Sequence, residues 1–88
     1  MKYVFLARED GKGIERLLCC CAPVTHGEMA EAHAKEGYKP VSAGFFKVKP
    51  DGSVETFGSS SSLKIGPRPN DANRIYHLTQ ATITLGSM

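Results

Sequence analysis

The amino-acid sequence predicts an α+β protein in which two helices pack against a mostly antiparallel sheet of four to five strands, in two layers. Three local signals predict this class: two turn motifs that each separate a pair of apolar runs, and one helix-capping motif between the pairs. A second helical pattern follows, which gives the order β-β-α-β-β-α. The 88 residues are expected to form a single domain, residues 1–88.

The first hairpin is predicted from two apolar runs, residues 2–7 and residues 14–21, on either side of a polar turn. The turn contains Asp10-Gly11, a strong hairpin signal because both residues tolerate the left-handed backbone of a tight turn. The run over residues 2–7 carries apolar side chains on both faces, which is typical of a strand that is covered on both sides.

Three consecutive cysteines end the second run. Neighbours in a strand cannot pair without strain, and an odd count without CxxC spacing fits neither a disulfide framework nor a zinc site. We therefore expect Cys19, Cys20 and Cys21 to be buried, reduced thiols in a cytoplasmic protein. A solvent-facing Cys20 would make oxidation-driven dimerisation a hazard.

The first helix is predicted from His26 to about Glu36. Thr25 and Glu28 have the spacing of a capping box, in which the hydroxyl accepts a hydrogen bond from the amide three residues later. Gly37 is a natural left-handed terminator. The helical periodicity places three residues on the buried or half-buried side: Met29, Ala32 and His33.

The second hairpin is predicted over residues 41–48 and 54–58. The turn between them, residues 49–53, has the x-Pro-Asp-Gly-x pattern. Glycine at positions 44 and 58 removes side chains from this hairpin and allows a backbone or a ligand to approach closely.

The second helix is predicted from its entrance, where Pro69 suits the first turn and Asp71 complements the amino end. The face expected to pack on the sheet carries Ala72, Ile75, Tyr76 and Thr79. Residues 81–85 alternate threonine and apolar residues, which fits either a short strand or a fraying tail.

Charge and hydropathy exclude two classes of partner. Eleven basic and nine acidic residues give a net charge of +2, and no basic run is long enough to indicate nucleic-acid binding. No apolar stretch approaches the roughly 20 residues that span a bilayer, so we expect no membrane partner. The sequence also lacks the charged-then-apolar layout of a signal peptide.

A candidate anion site lies in the stretch from Gly58 to Gly66, which reads Gly-Ser-Ser-Ser-Ser-Leu-Lys-Ile-Gly. A glycine, hydroxyls, a lysine and a following helix amino end offer many hydrogen-bond donors to one anion. The alternative is a hydrated serine loop. The residues expected to bind the anion are Gly58, Ser59, Ser60, Ser61, Lys64 and Arg68.

His33 is the sharpest chemical candidate, because it lies on a half-apolar helix face near a helix carboxyl end. A covalent or general acid–base role is one interpretation. The other is a histidine that packs and donates one hydrogen bond. His26 and His77 are expected to face water, and no third ligand at a sensible spacing supports a metal. We expect neither a metal nor a cofactor.

Three segments, in order, resemble the Janus/Ocnus family of phosphohistidine phosphatases, small α+β proteins that act without a metal. Lys2-Tyr3-Val4 looks like the family's first strand, Ala30 to Ala34 like its catalytic helical segment, and Phe57 to Ser60 like its phosphate-binding turn. Residues 41–45 and 68–72 are also similar to patterns in small bacterial proteins of that fold. The resemblance implies that His33 is the nucleophile or acid–base group, that Lys2 supplies positive charge, and that Gly58 to Ser61 cradle the phosphoryl oxygens.

Two family arginines have no counterpart here, since Thr25 and Phe45 stand at or near their places. Our first hypothesis is therefore a non-catalytic domain of this fold that binds a phosphate-like anion or a phosphorylated protein. The alternative is a metal-independent phosphohistidine phosphatase-like hydrolase that uses His33. A homodimer through a sheet edge or through exposed parts of Phe45 and Phe46 fits the first hypothesis.

Overall fold

The structure, a computed structural model, describes residues 1–20 and 24–86, with side chains described as far as Thr79. These residues form strands and helices in the predicted order: β1 Lys2–Arg8, β2 Arg16–Cys20, α1 His26–Ala34, β3 Tyr38–Val48, β4 Val54–Phe57 and α2 Asp71–Gly86. The α+β class is confirmed. No helix among them has the length and apolar content needed to span a bilayer.

The four described strands form one antiparallel sheet in the order β2-β1-β3-β4. Two hairpins, β1–β2 and β3–β4, join through the central β1–β3 pair. The register of this pair runs from Lys2 opposite Phe45 to Arg8 opposite Tyr38, with an irregularity between Phe5 and Leu6. The outer strands β2 and β4 are therefore the edges of the sheet.

The two-layer prediction is wrong, because the helices cover opposite faces of the sheet and produce three layers. Successive side chains of β1 point to opposite faces, and both sets are buried. The core towards α2 contains Tyr3, Phe5, Phe46 and Ile75. The core towards α1 contains Val4, Leu6, Ala30 and Ala43.

The local signals around α1 are confirmed. The Thr25 hydroxyl accepts from the Glu28 amide at 3.0 Å, and Gly37 adopts a positive φ of 81°. Within the helix, Met29 and His33 are half-buried, but Ala32 is exposed and Ala30 is buried instead. The buried stripe is thus rotated from the one that the periodicity predicted.

Boundaries elsewhere differ from the predictions. β3 begins at Tyr38 because its first residues pair with the end of β1. α2 begins at Asp71, so Pro69 precedes the helix, and residues 81–85 are helical where a strand or a tail was predicted. Ile75 is buried as predicted, whereas Tyr76 is exposed.

Two predictions about exposure are also wrong. Cys19 is exposed on the edge strand β2, while Cys20 is half-buried; Cys21 lies outside the described residues. Phe46 is buried in the core towards α2, so it cannot supply the exposed aromatic surface proposed for a homodimer.

A polar network fixes α2 to the sheet. The fully buried Asp71 carboxylate accepts hydrogen bonds from the Tyr3 hydroxyl at 2.8 Å and from the Arg68 amide at 2.9 Å. Arg68 Nε also donates to Asp71, at 3.1 Å. The guanidinium of Arg68 then donates a bidentate pair of hydrogen bonds to the Glu15 carboxylate, at 3.2 and 2.8 Å. Arg74 Nη1 donates to the same Glu15 carboxylate.

The hydrogen bond from Arg68 lowers the pKa of Glu15 from 4.5 to about 2; Arg74 adds to this effect and partial burial opposes it. Because the folded-state pKa lies below the ordinary value, the carboxylate binds its proton less readily in the folded chain. Its contribution to stability is therefore fully present above the ordinary pKa and is lost as the pH falls through the folded-state pKa.

Glu15→Gln is expected to lower the free energy of unfolding by about 1–3 kcal/mol at neutral pH, because the amide cannot match a charged acceptor. The difference from wild type should shrink as the pH falls from about 5 towards about 2, where Glu15 itself becomes neutral. Urea unfolding across this range measures it. A difference that stays constant with pH would contradict the role assigned to the carboxylate.

Candidate functional site

The serine stretch forms a compact turn that Ser60 organises. Ser60 is only 1% exposed. Its amide donates to the Ile65 carbonyl at 2.8 Å, and its carbonyl accepts from the Lys64 amide at 2.8 Å. Its hydroxyl accepts from the Leu63 amide at 3.1 Å. Ser60 is thus a structural residue of the turn.

The turn docks on the amino end of α1. The Ser62 hydroxyl oxygen accepts a hydrogen bond from the Gly27 amide at 3.1 Å and lies 3.3 Å from the Ser60 hydroxyl. Ser62 therefore satisfies one of the helix amides that lack a partner within the helix, and it joins two segments that are distant in sequence.

Lys2 reaches the same place from β1. Its Nζ donates to the Val24 carbonyl at 2.9 Å, immediately before the helix cap. The Cys20 thiol donates to the same carbonyl at 3.6 Å. Lys2 and the serine turn thus both contact the start of α1, Lys2 at Val24 and the turn at Gly27. We call Lys2, Gly27 and residues 59–62 the serine-turn site.

Two glycines make the close packing beside this site possible. Gly58 has a positive φ of 67°, and a Cβ there would lie 2.9 Å from the Phe45 ring. A Cβ on Gly44 would lie 3.0 Å from Pro67 and 3.1 Å from the Phe57 carbonyl oxygen. The predicted close approach at both positions is confirmed. The groups that approach belong to the protein itself: the Phe45 ring at Gly58, and Pro67 with the Phe57 carbonyl at Gly44.

His26 is buried, at 4% exposure, and the prediction that it faces water is wrong. Its Nε2 lies 2.7 Å from the Gly44 carbonyl oxygen. A carbonyl only accepts, so this partner assigns the proton to Nε2 and leaves the Nδ1 lone pair open. The ring also meets Phe45 edge-on at 5.3 Å, and Phe45 stacks on Phe57 at 5.7 Å.

His33 lies at the other end of α1, seven residues or about 10 Å along the helix from His26. Its Nδ1 is 2.8 Å from Arg16 Nη1 and 3.7 Å from the Glu36 carboxylate. Arginine can only donate, so the Nδ1 lone pair of His33 is occupied and its proton lies on Nε2. The described contacts do not join His33 to the serine turn.

The remaining predicted ligands fall into two groups. Ser59, Ser61 and Lys64 are exposed on the turn, and no hydrogen bond to the amides of Ser59 or Ser61 is found within residues 1–20 and 24–86. Arg68 is already engaged by Glu15 and Asp71 through its side chain. Lys2 and the serine turn thus both contact the start of α1, whereas Arg68 and His33 contact other parts of the chain.

Within the described part of the chain, no three metal-binding side chains are grouped so that they could hold a metal ion. Comparisons with protein-family models, curated proteins and solved structures found no match to this chain. The site is therefore interpreted from its own chemistry.

Gly58→Ala is expected to destabilise the fold by about 2–4 kcal/mol, because it combines left-handed backbone strain with crowding against Phe45. Gly11→Ala is the matched control, since Gly11 also has a positive φ but nothing lies within 4 Å of its Cβ position. The control should cost only about 1 kcal/mol. Equal losses in chemical denaturation would show that Phe45 does not restrict this position.

Proposed function

We propose that this protein binds a phosphate-like anion at the serine-turn site. The observation that supports it is that two distant segments contact the start of α1. Lys2 Nζ donates a hydrogen bond to the Val24 carbonyl, and the Gly27 amide donates one to the Ser62 hydroxyl. We also propose that the protein has a phosphohistidine phosphatase-like fold and a cytoplasmic location.

The site offers donors of three kinds. Lys2 supplies a positive charge, the amino end of α1 adds a partial positive charge, and the exposed turn presents the amides of Ser59 and Ser61. The Ser62 oxygen accepts from Gly27, and its proton can be donated either to Ser60 or to a bound anion. One ammonium group binds a phosphate less strongly than a bidentate guanidinium does, so we expect a dissociation constant on the order of millimolar.

Titration with inorganic phosphate, followed by amide NMR, should shift the resonances of Lys2, Gly27 and residues 59–62 together. Lys2→Ala should weaken binding about five- to tenfold, since it removes the only charged donor proposed for the site. Lys39→Ala is the matched control, because Lys39 is an exposed lysine at the start of β3.

Shifts scattered over other regions, or equal weakening by both lysine substitutions, would contradict the proposed site. Titration with sodium chloride at the same ionic strength separates specific binding from screening of surface charges.

A second candidate is the metal-independent phosphatase activity that the family resemblance implies. One observation favours it and transfers the chemical role from His33 to His26. The Nε2 proton of His26 is donated to the Gly44 carbonyl, which leaves the Nδ1 lone pair outside that bond, and the next residue, Gly27, donates its amide to Ser62 of the serine turn. In this scheme Nδ1 forms a bond to phosphorus as the P–N bond of the phosphoramidate breaks, and the amine takes a proton from solvent and leaves as ammonia. Water then attacks phosphorus, the Nδ1–P bond breaks, and phosphate and the neutral imidazole are released.

Phosphoramidate hydrolysis separates the two histidines. His26→Gln keeps an N–H near the place of Nε2, where it can donate to Gly44, but removes the nucleophilic nitrogen, so phosphate release should fall about 100-fold or more. His33→Gln should stay within about twofold of wild type, since the His33 Nδ1 lone pair is already occupied. A loss confined to His33→Gln would reverse the assignment, and background release by wild type would remove this candidate while leaving anion binding intact.

A further inference from the structure

Two arginines lie side by side at the start of α2, outside the serine-turn site. The guanidinium carbons of Arg68 and Arg74 lie 5.3 and 4.8 Å from the centre of the Phe5 ring. Phe5 is fully buried, so both cations pack against one fixed aromatic ring. Their positions are set by the core of the protein.

Both guanidinium groups donate to one carboxylate, that of Glu15. Arg68 Nη1 bonds to Oε2 at 3.2 Å and Arg68 Nη2 to Oε1 at 2.8 Å. Arg74 Nη1 also donates to Oε1. Three nitrogen donors thus share two carboxylate oxygens, and one oxygen accepts twice.

A cavity of about 270 Å³ lies at this position, lined by Arg68, Pro69, Asn70, Asp71 and Arg74. The Asp71 carboxylate is fully buried and satisfied by Tyr3 and Arg68. Glu15 is therefore the anion that balances the second arginine, and it comes from a different segment of the chain.

The segment that precedes Glu15 lies at the surface, outside both cores. Every residue from Arg8 to Ile14 is exposed, and Ile14 is 84% exposed. Gly11 and Gly13 both have positive φ. Movement of the Glu15 side chain away from the arginines would therefore disturb little of the core.

We propose that Arg68 and Arg74 form a second oxyanion site, which takes a phosphate group and in which the Glu15 carboxylate is an internal occupant that competes with the ligand. A tetrahedral phosphate offers three oxygens to the three donating nitrogens, and its second negative charge suits two guanidinium groups. The proposal is independent of the serine-turn site, because the two sites share no residue.

Removal of the internal carboxylate tests the proposal. Glu15→Ala should bind inorganic phosphate at least about tenfold more tightly than wild type at residues 68–74, as measured by amide NMR titration. Arg74→Gln in the same background should abolish the gain. Sodium chloride at equal ionic strength is the control for screening.

Phosphate should also raise the midpoint of thermal unfolding of Glu15→Ala more than that of wild type, since it replaces the missing counter-ion. If Glu15→Ala does not fold, Glu15→Gln serves in its place, because it removes the charge and keeps an acceptor oxygen. A folded variant with no gain of phosphate binding at residues 68–74 overturns the proposal. Shifts confined to residues 59–62 would likewise overturn it, while supporting the serine-turn site.

Discussion

The hydrogen bond between the Tyr3 hydroxyl and the Asp71 carboxylate is the interaction on which most of the structure depends. Both side chains are fully buried, so the loss of either one takes a hydrogen-bond partner from a polar group that water does not reach. Burial and the neighbouring Asp71 carboxylate raise the pKa of Tyr3, so the hydroxyl keeps its proton and remains a donor. This bond joins the central strand β1 to the start of α2. Arg68 then links Asp71 to Glu15, which lies at the end of the connection between β1 and β2.

Local features of the fold could be predicted from the sequence because short-range chemistry determines them. The Asp10-Gly11 turn, the Thr25 cap and the left-handed Gly37 each depend on residues within a few positions of one another. The number of layers could not be predicted in this way. Alternation along β1 shows that both faces are apolar, but which helix covers which face depends on contacts between distant segments.

The candidate site was predictable in part. The serine stretch was recognisable by composition, but Ser60 and Ser62 differ only through their tertiary contacts, so sequence reasoning could not separate the structural hydroxyl of Ser60 from the exposed hydroxyls. His26 resembled a solvent-facing residue because it begins a helix; its burial depends on Gly44, eighteen residues away. Arg68 was expected to bind an anion from outside, whereas carboxylates of the chain itself occupy it.

The pairing of β1 with β3 has a consequence for how the chain reaches this structure. The amino group of Met1 bonds to the carbonyl of Phe46, forty-five residues away in the sequence, whereas each hairpin closes over a short turn. Closing a long loop costs more chain entropy than closing a short one. We therefore expect the two hairpins to form early and independently, and their docking along β1 and β3 to limit the rate of folding.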